Sequence, residues 1–214
     1  IRRQRQMCIR DSLTTGSAIY FMKHVLGNGS LLGLFSMMKM FPVIIALIFT
    51  PILVKKTGSM QKVNFWGYVI SDILGIFLII FAMQKNLPMM LLFMFLKGTF
   101  AGTMSGTLNA LIAEISGYTY RTKGVHIDGM MFSCSSLGVK VGGGIGTAAV
   151  GWLLHAAGYA GKAATQTAAA TNMIFSMYIT IPVILGVVIT ILLGLMKVEK
   201  ENKRIDMERA EKAD

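Results

Sequence analysis

LLGLFSMMKMFPVIIALIFTPILV, residues 31–54, carries one lysine and no acid. An α-helix needs about 20 predominantly apolar residues to cross about 30 Å of hydrocarbon, and this run meets that length. A buried strand of a soluble protein stops far short of it. Runs of the same kind recur at 63–83, 87–113, 129–154 and 172–196, and residues 13–26 read as the end of one more. The segments between them, 27–30, 55–62, 84–86, 114–128 and 155–171, are short, polar or rich in Gly, Ala and Thr, and they read as turns. The predicted fold class is therefore all-α, a polytopic membrane helix bundle of five full helices and a truncated first one. Composition agrees, with 54% hydrophobic residues, 14% charged residues and a mean hydropathy of +0.61.

The net charge of +11 and the pI near 9.8 would point to nucleic acid in a soluble protein. Here the positive residues sit at loop ends and form no basic stripe, so a nucleic-acid partner is excluded. Lys55, Lys56, Lys62, Arg121, Lys123 and the tail fall on one side of the membrane, while the opposite loops hold only Lys85 and Lys162. The basic side is expected to be cytoplasmic. That makes the chain a multi-pass protein of the cell membrane, with lipid as a partner and a cytoplasmic carboxy terminus. Residues 197–214 alternate charges and read as a solvated helix or disordered tail with i,i+4 pairs.

Residues 1–12, IRRQRQMCIRDS, are strongly basic, lack an initiator Met and have no apolar core for a signal peptide. Met7–Ser12, MCIRDS, resembles the in-frame translation of a transposon end used to fragment DNA for sequencing. The segment is set aside as a non-native leader, the other reading being a basic loop before the first helix. Cys8 lies in it, which leaves Cys134 alone inside a span, so neither a disulfide nor a metal framework is expected. No cofactor is expected either.

An ionisable group in hydrocarbon is costly and persists when paired or facing water. Lys140 stands about 11 residues into its span, roughly 17 Å deep and beyond the reach of snorkelling. Helical spacing aligns Ser133, Ser136, Lys140, Gly144 and Thr147 in one polar stripe, expected to look into a bundle interior. The same helix holds Gly138, Gly142 and Gly146 four residues apart, a spacing that lets a neighbouring backbone approach closely. The 87–113 span carries Lys97, Thr99, Thr103, Ser105, Thr107 and Asn109, with Thr103 and Asn109 as candidate hydrogen-bonding residues for a solute. Asp72 is expected to neutralise Lys97 or Lys39 within the bundle, at matching depths of antiparallel neighbours.

Residues 113–159, AEISGYTYRTKGVHIDGMMFSCSSLGVKVGGGIGTAAVGWLLHAAGY, carry a family resemblance. Ala113, Tyr118, Gly124, Asp128, Gly129, Ser133, Lys140, Gly142, Gly158 and Tyr159 stand where the glycoside–pentoside–hexuronide:cation symporters, melibiose permease-like members of the major facilitator superfamily, have matching residues. SAIYFMKHVLG at 17–27 resembles the end of that family's seventh helix, and VKKTG at 54–58 its eighth-to-ninth loop. The loop motif spans Glu114, Tyr118, Gly124, His126, Asp128 and Gly129. It departs from the family at Glu114, near Tyr120, where a glutamate is replaced, and at His126, where an arginine is replaced. His126 reads as a solvated histidine.

The resemblance implies the carboxy-terminal six-helix half of a twelve-helix transporter, with its site between the halves near the midplane. It further implies that Lys140 and Ser136 lie at a cation site whose carboxylates belong to the amino-terminal half. The expected activity is sugar transport coupled to Na⁺ or H⁺ by alternating access. A passive facilitator or a non-transporting sensor of the same fold is the alternative. An enzyme is not expected, since His24, His126 and His155 form no set with a nucleophile or acid.

Overall fold

The computed structural model describes residues 2–195 except 162 and 164, and beyond them residues 199, 201, 202, 204, 205 and 207. Lys162, the last residue of the 172–196 run and the remainder of the tail lie outside the described residues. Every regular element among the described residues is helical: α1 Arg2–His24, α2 Leu31–Thr57, α3 Met60–Met83, α4 Leu87–Ala101, α5 Thr103–Lys123, α6 Asp128–Ala156, α7 Ala168–Phe175 and α8 Ile181–Gly194. A π-helical segment, Ser176–Thr180, joins α7 to α8 without a break. Among the described residues five helices are long and apolar enough to cross a membrane: α2, α3, α4 with α5, α6, and α7 with α8.

Local chemistry sets the turns. Gly58 ends α2 at φ 63°, a left-handed conformation that costs glycine little, and Ser59 at once caps α3 by accepting from the Lys62 amide at 3.1 Å. Asn86 caps α4 with Pro88 in its first turn, where a missing amide hydrogen costs nothing. Gly124, at φ 70°, ends α5.

Two boundaries differ from the expectation. Residues 114–123, expected in a loop, continue α5 to Lys123, leaving only 124–127 between α5 and α6. The polar composition of that stretch marks where the apolar layer ends, and a helix can continue past it with its backbone bonds intact. The first helix likewise runs continuously through residues 2–12 into 13–24.

Glycines set how closely the helices approach. A Cβ on Gly67 of α3 would lie 2.8 Å from the Phe100 carbonyl oxygen and from Thr103 Oγ1, so α3 and α4–α5 touch backbone to backbone. A Cβ on Gly102, between α4 and α5, would lie 2.7 Å from the Ala46 side chain of α2. On α6 the buried stripe is Ser135, Gly138, Gly142, Gly146 and Val150, against α1. The core is a cluster around Phe21, Phe35, Met90 and Tyr178, with Phe21 stacked on Tyr178 at 4.5 Å between ring centroids. Outward lies a broad apolar belt, including Met40, Trp66 and Trp152, of the kind that lipid covers.

The six described residues of the 197–214 tail are helical, and two of them are not solvated. Glu199 is 7% exposed and Asn202 2%. Both dock against the bundle, while the Arg204–Glu201 ion pair at 3.3 Å stays on the surface.

Candidate functional site

α1 to α5 and the α7–α8 helix line a half-open cavity of about 180 Å³, with Thr14, Lys39, Lys97, Ser105 and Tyr178 on its wall. Two lysines in a mostly apolar cavity need compensation, and each finds it differently. Lys39 Nζ donates to Thr15 Oγ1 of α1 at 2.8 Å. Lys97 reaches α3, where its ammonium would lie 3.2 Å from a Cβ on Gly75. Asp72, one turn before Gly75, is 9% exposed and accepts a hydrogen bond from Thr190 Oγ1 of α8 at 2.6 Å. Its other carboxylate oxygen presses against Gly186, where a Cβ would collide with it. Asp72 and Lys97 are thus electrostatic neighbours without a direct ion pair, and Lys39 is tied to α1 instead.

Arg10 and Asp11 also reach this cavity, paired at 3.2 Å, with the Arg10 guanidinium 5.7 Å from the centre of the Tyr68 ring. Both belong to the segment read as a leader.

α6 presents two faces. The glycine stripe packs on α1, while Ser133, Ser136, Lys140, Gly144 and Thr147 are exposed, so the polar stripe does not look into the interior formed by the described helices. The reason is size: glycines allow α1 to approach, and the helix turns its longer polar side chains to the opposite side. Thr147 Oγ1 is spent on the Gly143 carbonyl at 3.0 Å. Lys140 has no ion-pair partner among the described residues.

Of the two candidate hydrogen-bonding residues of the 87–113 span, Asn109 is exposed. Thr103 is buried against Gly67, with its hydroxyl donating to the Phe100 carbonyl at 3.0 Å. Ser105, two positions on, reaches the cavity wall in its place. The loop motif is spread along the end of α5 and the start of α6. His126 stacks on Tyr120 at 4.0 Å and lies 3.7 Å from the Asp128 carboxylate, both groups being exposed. At the opposite end, Tyr159 Oη lies 3.2 Å from His24 Nε2, and burial pushes the Tyr159 hydroxyl pKa up.

Tyr178, Thr190, Glu199 and Asn202 were not singled out from sequence. Thr190 had one signal, since it stands one turn from Gly186 on an otherwise apolar helix. Among the described residues no three His, Cys, Asp or Glu converge as metal ligands.

A family model described as MFS/sugar transport protein matches residues 9–200. An uncharacterized 29.9 kDa protein of Pseudescherichia vulneris is 26% identical over 80% of this chain and 62% of its own length. The isoprimeverose transporter of Lactiplantibacillus pentosus is 27% identical over 85% of this chain and 37% of its own length. The putative glycoside/cation symporter YagG of Escherichia coli K12 is 24% identical over 85% of this chain and 39% of its own length. The chain thus spans less than two thirds of each of these relatives. No solved structure matches.

Proposed function

Since the chain belongs to the MFS/sugar transport protein family, we propose that it forms the carboxy-terminal half of a glycoside or pentoside symporter working by alternating access. The observation that carries this is the exposed polar stripe around Lys140. A lysine expected at mid-membrane depth, with no ion-pair partner among the described residues, needs a counter-charge or water, and a second six-helix unit bearing carboxylates would supply it. Ser133, Ser136 and Thr147 would share that central face, and Asn109 and Ser105 would offer hydrogen bonds to sugar hydroxyls.

In this reading the end of the bundle holding Lys55, Lys56, Lys62 and Lys123 faces the cytoplasm of a cell whose outer limit is this membrane. Na⁺ or H⁺ is the coupling ion. It would occupy the carboxylates of the other half beside the Lys140 ammonium, so that cation binding and lysine position are electrostatically linked. The halves then rock about the loaded site. No covalent chemistry is required, and the protein acts as a carrier.

The test is uptake by the full-length protein in sealed vesicles, with isoprimeverose and simple glycosides and pentosides as probes. An imposed inward Na⁺ or proton gradient is expected to drive accumulation, and Lys140→Gln to lower the coupled rate at least tenfold. Uptake that only equilibrates, whatever the gradient, identifies a facilitator. Coupled uptake unaffected by Lys140→Gln removes Lys140 from the site.

A further inference from the structure

The π-helical segment Ser176–Thr180 stands where the α7–α8 helix passes the cavity, and Tyr178, Ile179 and Pro182 line the wall there. Its cause is in the sequence. Pro182 has no amide hydrogen to give the Tyr178 carbonyl, and its ring would clash with that oxygen in a regular α-turn. The chain widens instead, and the Ile181 amide donates to the Ser176 carbonyl five residues back. One residue more than an α-turn displaces what precedes it by about 100° around the axis. Met177, Tyr178 and Ile179 are all buried, three in a row, although a regular helix spreads three successive residues over about 200°.

Tyr178 is the residue of these three with a polar side-chain group, and it is 8% exposed. Its ring stacks on Phe21 of α1 at 4.5 Å between centroids and lies 6.4 Å from the Phe35 ring of α2, so it has little freedom to turn. Its hydroxyl has no hydrogen-bond partner among the described residues, a costly state for a buried group that nothing else satisfies. Other polar groups of the wall differ. Thr14 Oγ1 is spent on the Arg10 carbonyl at 2.8 Å, Lys39 Nζ donates to Thr15, and Ser105 is exposed. The two lysines can only donate, whereas the Tyr178 hydroxyl both donates and accepts. A polar group that is buried, rigid and unspent is preorganised for a ligand.

The cavity itself limits what that ligand is. Its volume of about 180 Å³ falls below the about 300 Å³ at which sites for drug-sized ligands begin. Leu78, Met90 and Met94 give it an apolar lining for the C–H face of a ring, beside a few hydrogen-bonding groups.

We propose that this cavity takes one ring of the transported sugar, and that the Tyr178 hydroxyl, held in place by the π-helical turn, selects it through a hydrogen bond with one sugar hydroxyl. Tyr178 is thus a specificity-determining residue of this half. The assignment rests on the transport reading above, in which Ser105, on the same wall, also meets the sugar.

The experiment measures initial uptake by the full-length protein in sealed vesicles, with whichever sugar of the panel above the unmodified protein takes up. Tyr178→Phe keeps the ring and its stack on Phe21 and removes only the hydroxyl. Its KM is expected to rise about tenfold, the effect of losing one hydrogen bond, with the maximal rate within about twofold. Mono-deoxy analogues of the sugar then identify the contact. One of them is expected to lose about tenfold against the unmodified protein and nothing further against Tyr178→Phe, as a direct hydrogen bond requires. A second measurement uses Ser105→Cys in a protein whose other cysteines are replaced. Methanethiosulfonate ethylammonium labels it, and the sugar is expected to slow that labelling severalfold.

An unchanged KM in Tyr178→Phe would overturn the assignment. So would analogues whose losses are the same in both proteins, the pattern of a hydroxyl that meets only water or has only a structural role. Labelling of Ser105→Cys at one rate with and without sugar would overturn the cavity as the place of binding. If the unmodified protein takes up none of these sugars, the transport reading falls, and this assignment with it.

Discussion

Asp72 has little room to be anything else. Its carboxylate is fixed by one hydroxyl, pressed against a glycine on α8 and placed one turn from the contact of the Lys97 ammonium on α3. Asp72→Asn keeps the shape but leaves Lys97 without its counter-charge in a low-dielectric surrounding. A loss of about 3 kcal/mol is expected, read as a lower midpoint in thermal unfolding of the detergent-solubilised protein. Replacing both residues, Asp72→Asn with Lys97→Met, should recover part of that loss, because no charge is then left unbalanced. Thr190→Val removes the hydrogen bond that its hydroxyl donates to the carboxylate and should cost about 2 kcal/mol in the same measurement. Sequence showed Asp72 and two lysines at comparable depth, but depth alone could not choose between them. The choice was made by side-chain reach, as Lys39 found Thr15 first.

Among the elements, apolar run length located the membrane helices well, because covering about 30 Å of hydrocarbon is a demand that composition cannot hide. Their ends were not equally legible. α5 continues past its apolar part to Lys123, since backbone hydrogen bonds persist into water where side-chain hydropathy no longer signals a helix. α6 displayed both a glycine stripe and a lysine stripe in its spacing, but only packing shows that the first meets α1 and the second is left exposed. Glycine at 102 is the clearest case of an element depending on a single position. Gly102→Leu would push α4 away from Ala46 of α2, and an overpacking loss of about 1–3 kcal/mol is expected in thermal unfolding. A change to Leu at Gly144, where open space lies around the Cβ position, should leave the midpoint within about 0.5 kcal/mol.

For the whole molecule, the alternation of turns makes a topological prediction. The 27–30 turn and the 124–127 turn lie at opposite ends of the bundle, separated by α2, α3 and the α4–α5 helix. In sealed vesicles carrying Asn28→Cys or Val125→Cys, a membrane-impermeant maleimide should modify one from outside and the other only after permeabilisation. Modification of both from the same side would refute three intervening crossings. The large exposed apolar belt and the exposed lysine stripe are legible together only at this scale, where the proposal above gives the first to lipid and the second to another unit. Run lengths count the crossings, but nothing in them distinguishes one outward face from another.

Trp66 and Trp152, the only two tryptophans, are 61% and 71% exposed, one in the second turn of α3 and the other in the last turns of α6. Those positions are at opposite ends of the bundle. This chain therefore offers one tryptophan to each leaflet. A brominated lipid restricted to one monolayer should quench one of the two, and the emission of the other would remain as an internal reference for the tilt and depth of these helices.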